Sequence, residues 1–142
     1  MDIQVVLVEA DEQTRVELRK QLRSQEGIEV ASEATNGQTG LVLLESIDVD
    51  VAVVDAALPD LNLADFIDQV RAVQSDSYVT ESKLLVLVES DRLETIQLIP
   101  QVSYCLKSAP IKQIAEAVRQ TYSGIVYRDE QLEAIAPIAR IE

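Results

Sequence analysis

The chain has 142 residues, 47% of them hydrophobic, which suits one domain with a single continuous core and argues against two. Acidic residues outnumber basic ones 25 to 12, and the resulting net charge of -13 repels phosphate backbones and anionic membranes, so direct binding to nucleic acid or membrane is disfavoured. Histidine is absent, which excludes Ser/His/Asp and Cys/His triads, most zinc sites and phosphohistidine chemistry on this chain. The lone cysteine, Cys105, makes no internal disulfide, and no apolar run reaches the about 18 residues of a membrane span, so a cytoplasmic protein is expected.

Residues 3–8 (IQVVLV) form a short, β-branched, almost unbroken apolar run, the pattern of a strand covered on both faces. Thr14, Leu18 and Leu22 then recur every fourth residue among Arg15, Glu17, Arg19, Lys20 and Arg23, which predicts an amphipathic first helix. A second strand is expected at 28–31, a second helix around Gly40, Leu41 and Leu44, a third strand at 51–54 (VAVV) and a third helix over 63–73. The fourth strand is placed at 84–88 (LLVLV), the fourth helix at 92–99 and the fifth strand at 102–106. Ile111, Ile114, Ala115, Val118 and Tyr122 mark a fifth helix, with Pro110 fitting its first turn. After Ser123-Gly124 the pattern changes, and 129–135 is expected to form a short extra helix ended near Pro137; residues 123–142 are read as a tail, linker or docking element.

Strands alternating with helices five times imply parallel strands joined by right-handed crossovers, hence an α/β fold with helices on both faces of a five-stranded parallel sheet. In such sheets the functional crevice lies beyond the carboxyl ends of the strands. The sequence brings Glu9-Ala10-Asp11, Asp55, Val88-Glu89-Ser90 and Lys107 to those ends. Two carboxylates and an ammonium meeting in one crevice suit a divalent cation and the charge that develops when a carboxylate accepts a phosphoryl group.

The order Val8-Glu9-Ala10-Asp11, then Asp55-Ala56-Ala57-Leu58-Pro59-Asp60, then Tyr104-Cys105-Leu106-Lys107, resembles the receiver domain of two-component response regulators over residues 3–122. Asn36-Gly37, the run 49–55 and the segment 114–119 are similar to the branch that often carries a helix-turn-helix output domain. The resemblance implies a flavodoxin-like doubly wound (βα)5 sandwich in which Asp55 is the phosphoacceptor. It further implies that Lys107 holds the acyl phosphate, that Glu9, Asp55 and the Ala57 backbone carbonyl hold Mg²⁺, and that Tyr104 is the aromatic switch whose ring moves inward on phosphorylation. Implied partners are a sensor histidine kinase or phosphotransfer protein, and a downstream protein or second copy docked on the face around the fourth helix, fifth strand and fifth helix. The chain itself is expected to be a signalling protein and not an enzyme.

Three positions depart from that pattern. Ala10 replaces the second acid of the metal-binding pair, so Mg²⁺ is expected to bind weakly or not at all. Val88 replaces the Thr or Ser whose hydroxyl links phosphoryl group to switch, with Ser90 two residues on, and Asn62-Leu63 stands where a glycine is common. The expected function is a stand-alone, partly degenerate receiver phosphorylated on Asp55. One alternative is a pseudo-receiver that acts as a constitutive interaction module. Another is a flavodoxin-like nucleotide- or flavin-binding enzyme, against which stand the acids after the first strand and the absence of clustered glycines.

Overall fold

The computed structural model describes residues 2–75 and 83–135. Five strands, β1 (Ile3–Val8), β2 (Ile28–Ala34), β3 (Val51–Asp55), β4 (Lys83–Val88) and β5 (Ser103–Leu106), form one parallel sheet in the order β2-β1-β3-β4-β5. Strand side chains alternate between the two faces, so both sides of an apolar run become core. Val6, Val8, Ala52, Val54, Val86 and Val88 face one layer, while Val5, Leu7, Val51, Val53, Leu85 and Leu87 face the other. The expected doubly wound architecture is therefore the observed one.

α2 (Gly37–Ser46) and α3 (Leu63–Ser75) cover the first layer through Leu41, Leu44, Phe66, Ile67 and Val70. α1 (Glu12–Arg23) and α4 (Ile111–Tyr122) cover the second through Leu18, Leu22, Ile114 and Val118. Helix starts are fixed by side-chain caps that satisfy free N–H groups: Asp11 accepts from the Thr14 N–H, and Asn36 from the Thr39 N–H. Pro110 stands immediately before α4, outside it, as the cap residue. Among the described residues no helix is long and apolar enough to cross a membrane.

The predicted fourth helix does not form. After β4 the chain makes only a 3-10 turn, Ser90–Arg92, and then irregular turns. The stretch is short, carries β-branched Thr95, Ile96 and Ile99, and runs into Pro100, which drives the preceding residue away from helical backbone. Leu98 and Ile99 are nevertheless buried in the first layer, so the apolar spacing reports burial without helix.

Residues beyond α4 pack against the sheet edge. Tyr127 O accepts from Tyr104 N–H (2.9 Å), and Arg128 makes a parallel bridge to Tyr104, extending the sheet past β5. α5 (Glu130–Glu133) follows, shorter than the expected 129–135, with Leu132 fully buried beside Leu98, Ile99 and Tyr104. Pro137 lies outside the described residues.

Candidate functional site

Parallel strands deliver their last residues to one end of the sheet, and three expected site groups meet there. Asp55 ends β3 and Glu9 follows β1, both buried, and Lys107 follows β5. The Lys107 Nζ lies 3.1 Å from Asp55 Oδ2 and 3.5 Å from Glu89 Oε1, and contacts Glu9 Oε1. Backbone bonds hold the frame: Glu9 N–H donates to Ala34 O (3.0 Å), Ala56 N–H to Leu87 O (2.9 Å) and Lys107 N–H to Val88 O (2.8 Å). Ala57 sits in the exposed turn after β3, and its N–H donates to Asp55 Oδ1 (3.2 Å).

Two carboxylates and one ammonium share a poorly solvated space, and the ammonium offsets only one of the two negative charges. Burial pushes the Glu9 carboxyl above its usual range despite the hydrogen bond from Lys107. Burial alone would lower Lys107, but the Glu9 hydrogen bond and the Asp55 charge outweigh it and raise the ammonium's pKa. Lys107 is thus a fixed cation at the working pH of any cell.

The side chains offer a divalent cation Glu9 and Asp55, one carboxylate fewer than the expected set. Ala10 is exposed at the expected position of the second acid and offers no carboxylate. Asp11 is committed elsewhere: its Oδ2 accepts from both the N–H and the hydroxyl of Thr14, and these bonds hold its carboxyl below the usual range. The Arg15 guanidinium reaches the Glu9 carbonyl (3.1 Å), placing a second cation at the mouth. Among the described residues, no three acid, His or Cys side chains gather to hold a metal ion. Lys107 already sits against both carboxylates that a dication would need.

Val88, which stands at the relay position without a hydroxyl, and Tyr104, the expected switch, are both fully buried. Val88 offers only methyl groups toward the site, and Ser90 is exposed at the start of the 3-10 turn. The Tyr104 hydroxyl accepts from Ile99 N–H (2.9 Å), and the Arg128 guanidinium lies 5.1 Å from its ring centre. Arg128 also donates to Val102 O (3.1 Å) and Ile99 O (3.4 Å). The ring is buried, with Ile99 bonded to its hydroxyl and Arg128 over its face.

Sequence reasoning missed the group that fixes β5 from outside. Buried Asp129 accepts from Leu106 N–H (2.5 Å), the Gln113 amide (2.6 Å) and the Tyr127 hydroxyl (2.7 Å). Burial and Asp129 push the Tyr127 phenol up to about 12, and burial pushes the Cys105 thiol, also beside Asp129, well above its usual range. An acid one residue ahead of a short helix reads as an ordinary cap, so its role was visible only through partners distant in sequence.

No family model matches the chain. It is 25% identical over 131 residues to the response regulator protein VraR of Staphylococcus epidermidis, covering 87% of this chain and 58% of that protein. It is 28% identical over 125 residues to the transcriptional regulatory protein LiaR of Bacillus subtilis, covering 86% of this chain and 57% of that protein. The chain therefore spans less than two thirds of the length of these relatives. Among solved structures, the signal receiver domain of the response regulator NarL from Mycobacterium tuberculosis matches with a TM-score of 0.71 at 21% identity, covering 87% of this chain and 98% of that one.

Proposed function

We propose, for a chain whose homologues are response regulators and whose fold is that of their receiver domains, a partly degenerate receiver that accepts a phosphoryl group on Asp55 and signals through protein contacts. The observation that carries this reading is the Asp55–Lys107 pair at the carboxyl end of the sheet. An Asp55 carboxylate oxygen attacks the phosphorus of a phosphohistidine on a sensor kinase or phosphotransfer protein. The P–O bond forms as the P–N bond breaks, and the leaving imidazole recovers a proton from solvent. Lys107 and the Ala57 N–H, which already reach the Asp55 carboxylate, are the groups placed to donate to the phosphoryl oxygens that result. Mg²⁺ in ordinary receivers supplies charge neutralisation; here Lys107, held against the same carboxylates, supplies positive charge at that place.

The test is intact-protein mass after exposure to acetyl phosphate, beside Asp55→Asn. An adduct of one phosphate that vanishes in Asp55→Asn supports the reading. No adduct, under conditions that label an ordinary receiver, overturns it. The pseudo-receiver reading is favoured by one specific observation, the buried Tyr104 tied to Ile99 and Arg128. With Val88 in place of a hydroxyl, phosphorylation has no hydrogen bond through which to move that ring. A Tyr104 environment unchanged by the donor, read by ring-proton NMR in a chain that is labelled, would join the two readings: acceptance of phosphate without the usual relay.

A further inference from the structure

A cavity of about 430 Å³ opens beside Asp55, between the turn after β3 and the segment after β4. That volume falls among small-molecule pockets, roughly 300 to 1,000 Å³. Its floor includes Ala56, Val88 and Ile99, and one wall is Asn62, Leu63 and Ala64 at the start of α3. Val88, Asn62 and Leu63 are the positions, besides Ala10, at which this chain departs from the receiver pattern. The opposite wall, with Arg92, Ile96 and Gln97, is the stretch whose spacing predicts a helix and which the structure leaves unwound. The departures at Val88, Asn62 and Leu63 and the missing fourth helix thus converge on one hollow of mixed lining, apolar at Val88, Leu63, Ile96 and Ile99 and polar at Asn62, Arg92, Thr95 and Gln97.

Its polar groups are unevenly committed, and the Thr95 hydroxyl donates to Arg92 O (3.1 Å). The Asn62 side chain is occupied with Asp65, donating to Oδ2 (3.0 Å) and accepting from its N–H (2.8 Å). Arg92 is the one charged residue lining the cavity, and among the described residues its guanidinium has no ion pair or hydrogen bond; the Gln97 amide likewise has none. Arg92 is an exposed lining residue, so its guanidinium meets water and any anion that enters. Asp91 flanks Arg92 and Glu89 lies three residues before it, so a polyanion would meet carboxylates beyond the first charge.

We infer that this cavity binds a small amphiphilic anion, an aromatic or acyl body against Val88, Leu63 and Ile99 with a single carboxylate, sulfonate or phosphate at Arg92. Because Ala56 follows Asp55 directly, occupancy bears on the acceptor turn. Binding itself does not require Asp55 to be phosphorylated, so this inference and the phosphoacceptor reading fail separately.

The experiment titrates the chain with 1-anilinonaphthalene-8-sulfonate, and in parallel with the uncharged N-phenyl-1-naphthylamine, following fluorescence and backbone amide shifts. The expected result is a single saturable site with shifts centred on residues 56–64 and 88–99. Arg92→Gln weakens the sulfonate at least about tenfold and the neutral dye less than about twofold. Ala64→Phe, which fills the hollow, abolishes binding of both. Non-saturable binding, shifts centred elsewhere, or equal sulfonate affinity in Arg92→Gln overturns the inference. Should Ala64→Phe fail to fold, the shift map and Arg92→Gln decide it alone.

Discussion

Lys107 does at this site what a metal ion does elsewhere: it allows two buried carboxylates to lie side by side. Removing it leaves Glu9 and Asp55 facing each other without a counter-charge, so Lys107→Ala should lose about 3 kcal/mol of unfolding free energy at pH 7, read by urea denaturation. Glu9→Gln removes the excess negative charge instead and should stay within about 1 kcal/mol of the parent. The raised Glu9 pKa sets the sign with pH, since the folded state prefers the protonated acid. The deficit of Lys107→Ala should therefore narrow as pH falls from 7 toward 5. In the parent chain the part of the Lys107 contribution linked to the ammonium's own titration is complete below the ordinary lysine pKa of about 10.4 and is lost as pH rises through its higher folded value. A deficit independent of pH would mean that Lys107 acts by packing alone. Gln101 offers a second test at this scale, because it holds φ at 68°, a left-handed conformation that costs a side chain about 1 kcal/mol. Gln101→Gly should raise stability by about 0.5 kcal/mol, the relief of strain exceeding the added freedom of the unfolded chain.

Among the elements, the strands and four of the five helices expected from 12–122 were legible because their apolar spacing and their local backbone preference agree. Residues 92–99 show the limit: Leu98 and Ile99 recur as a helix face would, yet β-branching and Pro100 oppose helical backbone, and burial is reached by an irregular path. The site acids and Lys107 were legible because parallel strands place their ends together. What Asp11 does was not, since a carboxylate beside the site and a carboxylate capping α1 look alike in sequence. The segment after α4 was the least legible, because its anchors lie across the fold. Leu106, Gln113 and Tyr127 all donate to Asp129, so Asp129→Ala strands three half-buried donors and should lose about 2 kcal/mol. It should also free β5 locally. Cys105, fully buried with its thiol held protonated, is then the reporter: Asp129→Ala should react with a thiol reagent at least about tenfold faster than the parent under native conditions. Equal rates would mean that α4 and the sheet protect Cys105 without help from Asp129.

At the scale of the whole molecule, a net charge of -13 on 142 residues sets up a self-repulsion that any salt screens. Mg²⁺ added to this chain will therefore raise its thermal midpoint whether or not a metal site exists, and a midpoint shift by itself proves nothing about Glu9 and Asp55. Separation comes from ionic strength. MgCl₂ and NaCl matched in ionic strength should shift the parent midpoint equally to within about 1 °C, because Lys107 and Arg15 occupy the surroundings a dication would need and Ala10 supplies no oxygen from its side chain. Ala10→Asp restores the carboxylate, and in that variant MgCl₂ should exceed NaCl by an amount that grows with the logarithm of Mg²⁺ concentration, as specific binding to the folded state requires. Curves that separate in the parent would show that a dication displaces Lys107 from the carboxylates, and would return Mg²⁺ to the phosphoryl-transfer step. Coincident curves in both chains would place the barrier to metal in Lys107 itself. Lys107→Ala combined with Ala10→Asp is then the chain in which the separation must emerge.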